Sequence, residues 1–293
     1  MKTGLAPFMI LSAAVLWGTV GTAKTFAPAG ADSISIGALR LLVGGLVLMA
    51  VAILMGKMTL KGWPLRNVLL ASLSMALFQP FFFSAVSLTG VAVGTVTAIG
   101  SAPIFSGMIE WLVFKTRPAG VWWLSTFLAV TGCIILMFNS SAVTVDPLGI
   151  LSALGAGIAF ASFTILNSGL VKNHHPIASA AIIFMTSAIM LSPFILIYDS
   201  SWLLETEGFL AAMHIGVLAT GLAYYLFAIG LRNVKSSTAV TLSLAEPLTA
   251  SLLGVFLVGE ILDGWSWTGL LMLLMGIVLL VVRPWRKRAG AEA

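Results

Sequence analysis

Residues 34–55 read ISIGALRLLVGGLVLMAVAILM, and Arg40 is the one charged side chain in this run. A helix needs about 20 apolar residues to cross the hydrocarbon core of a bilayer, which is about 30 Å thick. The run is therefore long enough to span a membrane. The rest of the 293-residue chain has the same character, with 59% hydrophobic and 9% charged residues, against about 25% charged residues in a soluble protein. We therefore predict an integral membrane protein.

Ten runs of this kind result when the chain is divided at prolines, glycines and charge clusters. The predicted spans are 6–25, 34–55, 65–86, 92–113, 119–139, 148–167, 177–198, 209–230, 237–258 and 265–283. Strands of outer-membrane barrels are about 10 residues of alternating polarity, and the runs show no such alternation. The predicted fold class is an all-α integral membrane protein with ten transmembrane helices.

The first run, 6–25, follows Lys2 and precedes small residues at 27–31, as in a secretory signal peptide. It is long for the apolar part of such a signal, and its removal would leave nine spans. We expect it to be retained as the first span.

Basic residues are distributed unequally between the two predicted faces. Thirteen of the fifteen Lys and Arg residues fall on the face that carries the N-terminus, whereas Lys24 and Arg40 fall on the other face with seven of the ten acids. Cytoplasmic loops carry the excess of Lys and Arg, so both termini are predicted to be cytoplasmic. The net charge of +5 then reflects orientation and contact with anionic lipid rather than a nucleic-acid partner.

The chain contains an internal repeat, with one copy in residues 1–143 and the other in 144–293. Matching pairs at an offset of 144 include Pro103 with Pro247, Trp123 with Trp267, and Gly132 with Gly276. Each half holds five spans, an odd number, so the second half enters the bilayer from the opposite face. Such inverted repeats are a recurrent architecture of secondary transporters, which bind substrate near the midplane between the halves and alternate access by rocking. A duplicated receptor or scaffold is the alternative.

Glu246 is the one acid placed deep in a predicted span, about 14 Å in at about 1.5 Å per residue. A charge at that depth costs at least about 2.5–3.5 kcal/mol unless it faces protein or water. Three roles remain open for it: binding a substrate amine, carrying a proton, or forming a hydrogen bond to a neighbouring helix. Interface anchoring is expected instead for four groups near span ends: Lys24, Arg40, Glu110 and His214.

Trp17 is also deep, whereas the other tryptophans lie near span ends, as in an interfacial aromatic belt. Its indole N–H needs a partner at that depth. Gln79 and Tyr224 are similarly deep, and Phe160 is the approximate repeat mate of Trp17. We predict a central substrate-binding cavity around Glu246, lined by Trp17, Gln79, Ser101, Phe160, Tyr224 and Ser243. It would suit a small solute with an apolar part and an amine, and core packing is the alternative.

Pro103 and Pro247 lie inside the fourth and ninth predicted spans, where kinks are expected. A proline in a helix frees the carbonyl four residues earlier, here that of Ile99 or Ser243. Freed backbone is tolerated in a membrane where it is buried in protein or lines a wet cavity. The fourth and ninth spans are therefore predicted to be the central pair, although such kinks also serve packing alone.

Several short motifs resemble those of the EamA family in the drug/metabolite transporter superfamily. They are SLAEP at 243–247, FLVGE at 256–260, WTG at 267–269, LWG at 16–18, ALR at 38–40 and AP at 102–103. Thr116 replaces the glutamate that the family pattern has opposite Glu260, which leaves the role of that acidic position open. The resemblance covers nearly the whole chain and is strongest to YddG-type exporters of aromatic and other amino acids.

This resemblance implies a ten-helix carrier in a bacterial inner membrane, with a central cavity lined mainly by helices 1, 3, 4, 6, 8 and 9. The cavity would open alternately to the two sides. The implied activity is export of small amphipathic metabolites, amino acids among them. A drug, sugar or nucleotide-sugar carrier of the same fold is the alternative, but a nucleotide sugar would require deep basic residues, and none lies deeper than Arg40.

Signatures of enzymes are missing from the sequence, which contains no H-E-x-x-H, G-x-x-x-x-G-K-[ST] or G-x-S-x-G motif. Cys133 is the single cysteine, which excludes an intramolecular disulfide and a cysteine-based metal site. No enzymatic activity, cofactor, metal, nucleic acid or obligate protein partner is therefore predicted. The expected partners are a small-molecule substrate and the lipid bilayer.

Overall fold

The computed structural model describes residues 3–25, 28, 33–59, 61–137, 146–198, 200–259 and 261–289. Within them the chain is all-helical and contains no strand, so the predicted all-α class is confirmed. The helices are α1 (Ala6–Thr25), α2 (Ser33–Leu54), α3 (Leu65–Leu112), α4 (Gly120–Met137), α5 (Pro147–Asn173), α6 (Pro176–Ile197), α7 (Thr206–Met213), α8 (Ala223–Leu231), α9 (Ser236–Leu242), α10 (Ala245–Leu253) and α11 (Gly264–Ala289). Shorter elements are the 3₁₀ turns Thr3–Leu5 and Ser201–Leu204 and the π-helical segments His214–Leu222 and Gly254–Val258. Lys2, Glu260 and two acids of the predicted outer face, Asp32 and Asp199, lie outside the described residues.

Eight helical segments in the described part of the chain are long and apolar enough to cross a membrane. One of them, Leu65–Gly90, is the first part of α3. The chain is therefore a multi-pass membrane protein. The predicted number of ten further requires the shorter apolar helix α4 and the second part of α3, residues 91–112.

Gly90 interrupts α3 and separates these two parts. Its φ of 82° and ψ of 163° are non-helical and lie in a region that only glycine adopts readily. The predicted joint between 86 and 92 is therefore reduced to a kink without an intervening loop. At this kink a Cβ atom on Gly94 would lie 2.8 Å from the backbone nitrogen of Val86, so the two parts of α3 pack closely where they meet.

The helices pack through their small residues. α1 packs along α8 and α10, α2 along α6, α3 along α5, and α4 along α11. In the last pair, a Cβ atom on Gly132 would lie 2.5 Å from the carbonyl oxygen of Gly269 and from the backbone nitrogen of Leu273. Lipid provides no hydrophobic force between helices, so close backbone approach at small residues is what holds membrane helices together.

Large apolar side chains occupy both the interior and the outer surface. Phe163, Phe184 and Phe227 are fully buried, whereas Leu54 and Ile197 are exposed by 85% and 73%. Outward-facing apolar side chains suit contact with lipid tails, because the bilayer core is as apolar as the side chains themselves.

Two tryptophans expected in the interfacial belt are instead buried. Trp122 packs against Gly107, where the missing side chain makes room for the indole ring. Trp202 donates a hydrogen bond from Nε1 to Ser35 Oγ at 3.2 Å. The belt prediction is wrong for these two residues because contacts with other helices cover them, and such contacts do not depend on position within a span.

His175 caps the N-terminus of α6, where its Nδ1 atom accepts a hydrogen bond from the Ile177 N–H at 3.4 Å. Burial lowers the pKa of His175 below its ordinary value of 6.5, and the positive charges of Lys57 and Arg232 lower it further. Protonation therefore opposes the folded state and also removes the acceptor of the cap.

The substitution His175→Asn should weaken the pH dependence of stability. Because the pKa is lowered on folding, the contribution of His175 is complete above pH 6.5 and declines as the pH falls from 6.5 toward the lower folded-state value. Asparagine also accepts a capping hydrogen bond but does not titrate. Between about pH 7.5 and about pH 5.5, the thermal unfolding midpoint of the wild type should fall more than that of the variant. Equal falls would contradict this role.

Candidate functional site

An aromatic cluster occupies the interior between α1, α5 and α8. Its members are Trp17, Phe160, Phe163, Tyr224 and Phe227. The ring centroid of Trp17 lies 4.7 Å from that of Tyr224, 5.2 Å from that of Phe227 and 5.9 Å from that of Phe160. Such tilted and edge-to-face contacts are favourable for aromatic pairs. The structure thus brings three of the predicted site residues, Trp17, Phe160 and Tyr224, into direct contact.

Buried polar groups without partners lie within and beside this cluster. Trp17 is 4% exposed, and in the described part of the chain its Nε1 has no hydrogen-bond partner. Gln79 is 1% exposed, and neither Oε1 nor Nε2 has a partner among the same residues. Native proteins satisfy nearly all buried polar atoms, so such exceptions indicate strain, function or an absent ligand.

Glu246 lies next to a break in the ninth predicted span. α9 ends at Leu242, five residues before Pro247, and α10 begins at Ala245, two residues before it. The carbonyl oxygen of Ser243, which the proline frees from its usual partner, accepts a hydrogen bond from the Glu246 N–H at 2.9 Å. This bond spans three residues, so the turn is tighter than that of an α-helix. The turn orients the Glu246 side chain.

The carboxylate of Glu246 is half-buried and has no hydrogen-bond or ion-pair partner among the residues that the structure describes. The hydrogen bond to a neighbouring helix that the sequence allowed is thus not made there. Arg40 and Tyr224 lie close enough to Glu246 for electrostatic interaction with it. Glu246, Arg40 and Tyr224 therefore share one electrostatic environment.

Gly18 connects the aromatic cluster to Glu246. A Cβ atom at position 18 would lie 2.7 Å from the backbone oxygen of Glu246 and 2.6 Å from Thr249 Cβ. Glycine at this position lets α1 approach α10 closely, and Trp17 is its neighbour in the chain. The glycine thus positions the indole and the carboxylate on adjoining helices.

The two predicted site serines form hydrogen bonds within their own helices. Ser101 Oγ donates to the Ala98 carbonyl at 3.2 Å, and Ser243 Oγ donates to the Ala239 carbonyl at 3.0 Å. Ser101 also packs against Gly157 of α5. Pro103 lies two residues after Ser101 in the second part of α3, which remains helical around it. In the described part of the chain, neither serine hydroxyl bonds to a residue of the aromatic cluster.

Arg40 and His214, expected as interface anchors, instead tie helices together. Arg40 Nε donates to Thr220 Oγ1 at 3.1 Å, and His214 Nε2 lies 2.8 Å from Thr19 Oγ1. Both are half-buried. Each forms a hydrogen bond with a hydroxyl on a helix that is distant in sequence, a contact that position near a span end did not predict. The side chain of Lys24 lies outside the described residues.

Glu110 was also expected to be an anchor, and it is 8% exposed. Its Oε2 accepts from Ser237 Oγ at 2.6 Å, and its Oε1 accepts from the Ser237 N–H at 3.1 Å. Glu110 thus joins the second part of α3 to α9. The role of Glu110 could not be predicted from the sequence because its partner is 127 positions away and no local pattern marks the pair.

Glu110 also lines a cavity of about 410 Å³. The other lining residues are Phe114, Thr116, Ile165, Ser168, Gly169, Lys172, Leu231, Arg232, Asn233, Val234, Lys235 and Ser236. All of them come from span ends or joints on the predicted cytoplasmic face. Among the described residues, no cluster of three or more His, Cys, Asp or Glu side chains could hold a metal ion.

The profile of the EamA-like transporter family matches this chain twice, at residues 4–138 and at 147–282. The chain belongs to the EamA-like transporter family. The family resemblance of the motifs is thereby confirmed. Membership in this family indicates a transport function but does not specify the substrate.

Individual relatives of this EamA-like chain extend over most of its length. YwfM of Bacillus subtilis, named an uncharacterized transporter, is 46% identical over 293 residues, which cover 100% of this chain and 99% of its own. The threonine/homoserine exporter RhtA of Escherichia coli K12 is 28% identical over 264 residues, which cover 87% of this chain and 83% of its own. One crystal structure matches with a TM-score of 0.83 at 20% identity, covering 96% of this chain and 98% of its own, and this likeness shows a shared fold.

Proposed function

We propose that this EamA-like protein is a secondary transporter of a bacterial inner membrane that exports small amphipathic metabolites, namely amino acids including aromatic ones, by alternating access. The observation that carries the proposal is the close packing of α1 on α10 at Gly18, next to Trp17 and beside the Glu246 backbone. Among the described residues, neither the buried indole N–H of Trp17 nor the carboxylate of Glu246 has a hydrogen-bond partner. The name of the relative RhtA, a threonine/homoserine exporter, supports an amino-acid substrate.

The side chains around Glu246 would complement the ammonium group, the carboxylate and the side chain of an amino acid. Glu246 would accept hydrogen bonds from the ammonium group, which would also lie over the ring faces of Trp17 and Tyr224. Arg40 uses Nε for Thr220, so its terminal nitrogens would bind the carboxylate. The aromatic cluster would contact an apolar side chain, and the free polar atoms of Gln79 would bind the backbone or a hydroxyl group of the solute.

The topology proposed for this carrier is ten spans in two inverted halves, 1–143 and 144–293, with both termini in the cytoplasm. Two separate matches of one family profile, each on one half, support the repeat. Helix packing supports it as well, because the second span packs on the seventh and the fifth on the tenth, as α2 on α6 and α4 on α11.

Individual contacts between α4 and α11 also support this proposed pseudo-symmetry. A Cβ atom on Gly132 would meet the backbone nitrogen of Leu273 at 2.5 Å, and one on Gly276 would meet that of Ala129 at 2.9 Å. Gly276 and Leu273 stand 144 positions after Gly132 and Ala129, so the second contact is the first with partners exchanged. Reciprocal contacts of this kind are the signature of a two-fold axis.

Alternating access would require each end of the carrier to open in turn. On the predicted outer face, hydrogen bonds join His214 to Thr19 and Arg40 to Thr220. On the predicted inner face, Glu110 is joined to Ser237. Rupture of one set while the other is intact would expose Glu246 to one side at a time.

Efflux from proteoliposomes tests the proposed function. Purified protein is reconstituted with radiolabelled threonine, homoserine, phenylalanine or leucine inside the vesicles, and release is followed with and without an imposed pH gradient. We expect faster release of at least one amino acid than from protein-free vesicles. Release of none of them, with release of a sugar or a drug instead, would overturn amino-acid export and favour another solute class for the same fold.

A further inference from the structure

The cavity lined by Glu110 combines a buried acid with exposed cations. We call this cavity the inner vestibule, defined by the lining residues given above. Glu110 is buried at its floor, whereas Lys172, Arg232 and Lys235 are exposed at its rim. Its volume of about 410 Å³ falls within the range of about 300–1,000 Å³ that is usual for small-molecule sites.

Glu110 keeps capacity for a ligand although Ser237 already donates to both of its carboxylate oxygens. Each oxygen has two acceptor positions, and Ser237 uses one on each. The oxygens are held in place by a backbone N–H and a hydroxyl, so their orientation is fixed before a ligand arrives. Such pre-organisation reduces the entropic cost of binding.

The rim cations are available as well. In the described part of the chain, no salt bridge joins Lys172, Arg232 or Lys235 to Glu110 or to another acid. The floor of the vestibule is also polar, since Ser236 Oγ donates to Ser168 Oγ at 3.0 Å. Opposite charges thus face one cavity without neutralising each other by contact.

We propose that the inner vestibule is a second binding site, which takes an α-amino acid as its zwitterion, with the ammonium group on Glu110 and the carboxylate on the rim cations. A purely anionic ligand would meet repulsion from Glu110, and a simple amine would meet repulsion from the three cations. The site therefore selects for a molecule that carries both charges. This inference rests on the proposed function in that it supplies the cytoplasmic loading position for an exported amino acid.

Binding of an amino acid at Glu110 would also affect the contact between two helices of the carrier. An ammonium group on the free acceptor positions of Glu110 would draw negative charge away from the oxygens to which Ser237 donates, and so weaken the contact that joins the second part of α3 to α9. These segments are the inner ends of the fourth and ninth spans, and α10, which carries Glu246, follows α9 in the chain. Binding in the inner vestibule would therefore loosen the contact on the path to the central site.

Cysteine protection tests the site without requiring transport. Gly169 lines the vestibule and is exposed, and nothing among the described residues lies within 4 Å of a Cβ atom placed there. Gly169→Cys therefore introduces a thiol into open space. The native thiol, Cys133, is 1% exposed and provides a slow background. The rate of modification by a hydrophilic thiol reagent is measured on the purified full chain in detergent.

We expect L-threonine or L-phenylalanine to slow modification of Gly169→Cys, by about threefold when two thirds of the sites are occupied. The N-acetyl derivatives lack the ammonium group and the amides lack the carboxylate, so neither should protect. The matched control is Gly120→Cys, on the same predicted face but outside the vestibule, where a Cβ atom is equally unobstructed by described residues. Its modification rate should not respond to any of these compounds.

Two further substitutions in the Gly169→Cys background assign the protection to the vestibule. Glu110→Gln keeps an oxygen that accepts from Ser237 but loses the charge, so protection by the amino acid should disappear. Glu246→Gln alters only the central site, so protection should persist. If Glu110→Gln does not fold, the comparison of the amino acids with their blocked derivatives still tests the charge pairing.

The outcomes separate this site from the proposed export activity. Amino-acid flux in proteoliposomes without any protection of Gly169→Cys would overturn the vestibule site and leave export standing. Protection without flux would support the site and overturn export. Equal protection by inorganic phosphate, or by the N-acetyl derivatives, would also overturn the proposal, because it would show that the rim cations attract any anion.

Discussion

Glu246→Gln should reduce amino-acid efflux from proteoliposomes by about 30-fold or more, corresponding to about 2 kcal/mol. The substitution preserves the size and one acceptor oxygen of the side chain but removes the charge that would bind the ammonium group. In a water-poor interior such a charge is worth far more than at the surface. The measurement compares initial rates of threonine or phenylalanine release for the two proteins at equal reconstitution density.

Glu205→Gln provides the matched control. Glu205 is an exposed acid on the predicted outer face, and its side chain makes no capping hydrogen bond to α7. Its substitution removes the same charge and should leave the efflux rate unchanged. Wild-type efflux by Glu246→Gln would contradict a role of Glu246 in binding.

An imposed pH gradient in the same assay shows whether amino-acid efflux is coupled to proton movement. Acceleration of wild-type efflux by the gradient, and its loss in Glu246→Gln, would identify proton exchange through this carboxylate. Gradient-independent efflux would identify facilitated diffusion. The sequence leaves these alternatives open, because one deep acid serves equally well to bind an ammonium group and to carry a proton.

Helix positions were predictable because a membrane allows few alternatives. Backbone groups in lipid must be satisfied within helices, so a long apolar run such as residues 34–55 forms one, and α2 spans Ser33–Leu54. The predicted loop near Gly90 was less accurate. Glycine signalled a break there, but only its φ of 82° shows that the chain turns within one residue.

The aromatic part of the candidate site was predictable from depth alone. Trp17 and Tyr224 lie far from any predicted span end, and residues at that depth on neighbouring helices meet in the protein interior. Glu110 could not be assigned in this way, since its distance from a helix end suggests the interface. What buries it is Ser237, on a helix that reaches it only in the folded protein. Tertiary partners of this kind leave no trace in local sequence.

Gly132→Ala should destabilise the protein by about 1–3 kcal/mol, the usual cost of an overpacked core. The new methyl group would lie 2.5 Å from two backbone atoms of α11, the Gly269 oxygen and the Leu273 nitrogen. Backbone cannot move aside as a flexible side chain can, so α4 and α11 must separate along the contact that holds them together. We expect the thermal unfolding midpoint in detergent to fall by about 5 °C.

Gly21→Ala distinguishes this contact from the general effect of replacing glycine in a helix. Gly21 lies inside α1, is exposed, and has no described atom within 4 Å of its Cβ position. Alanine is favoured over glycine in a helix by up to about 1 kcal/mol, and both variants gain this term equally. Gly21→Ala should therefore keep or raise the unfolding midpoint while Gly132→Ala lowers it. If the two midpoints changed alike, helix propensity alone would account for the effect, and the close approach of α4 to α11 would not be needed for stability.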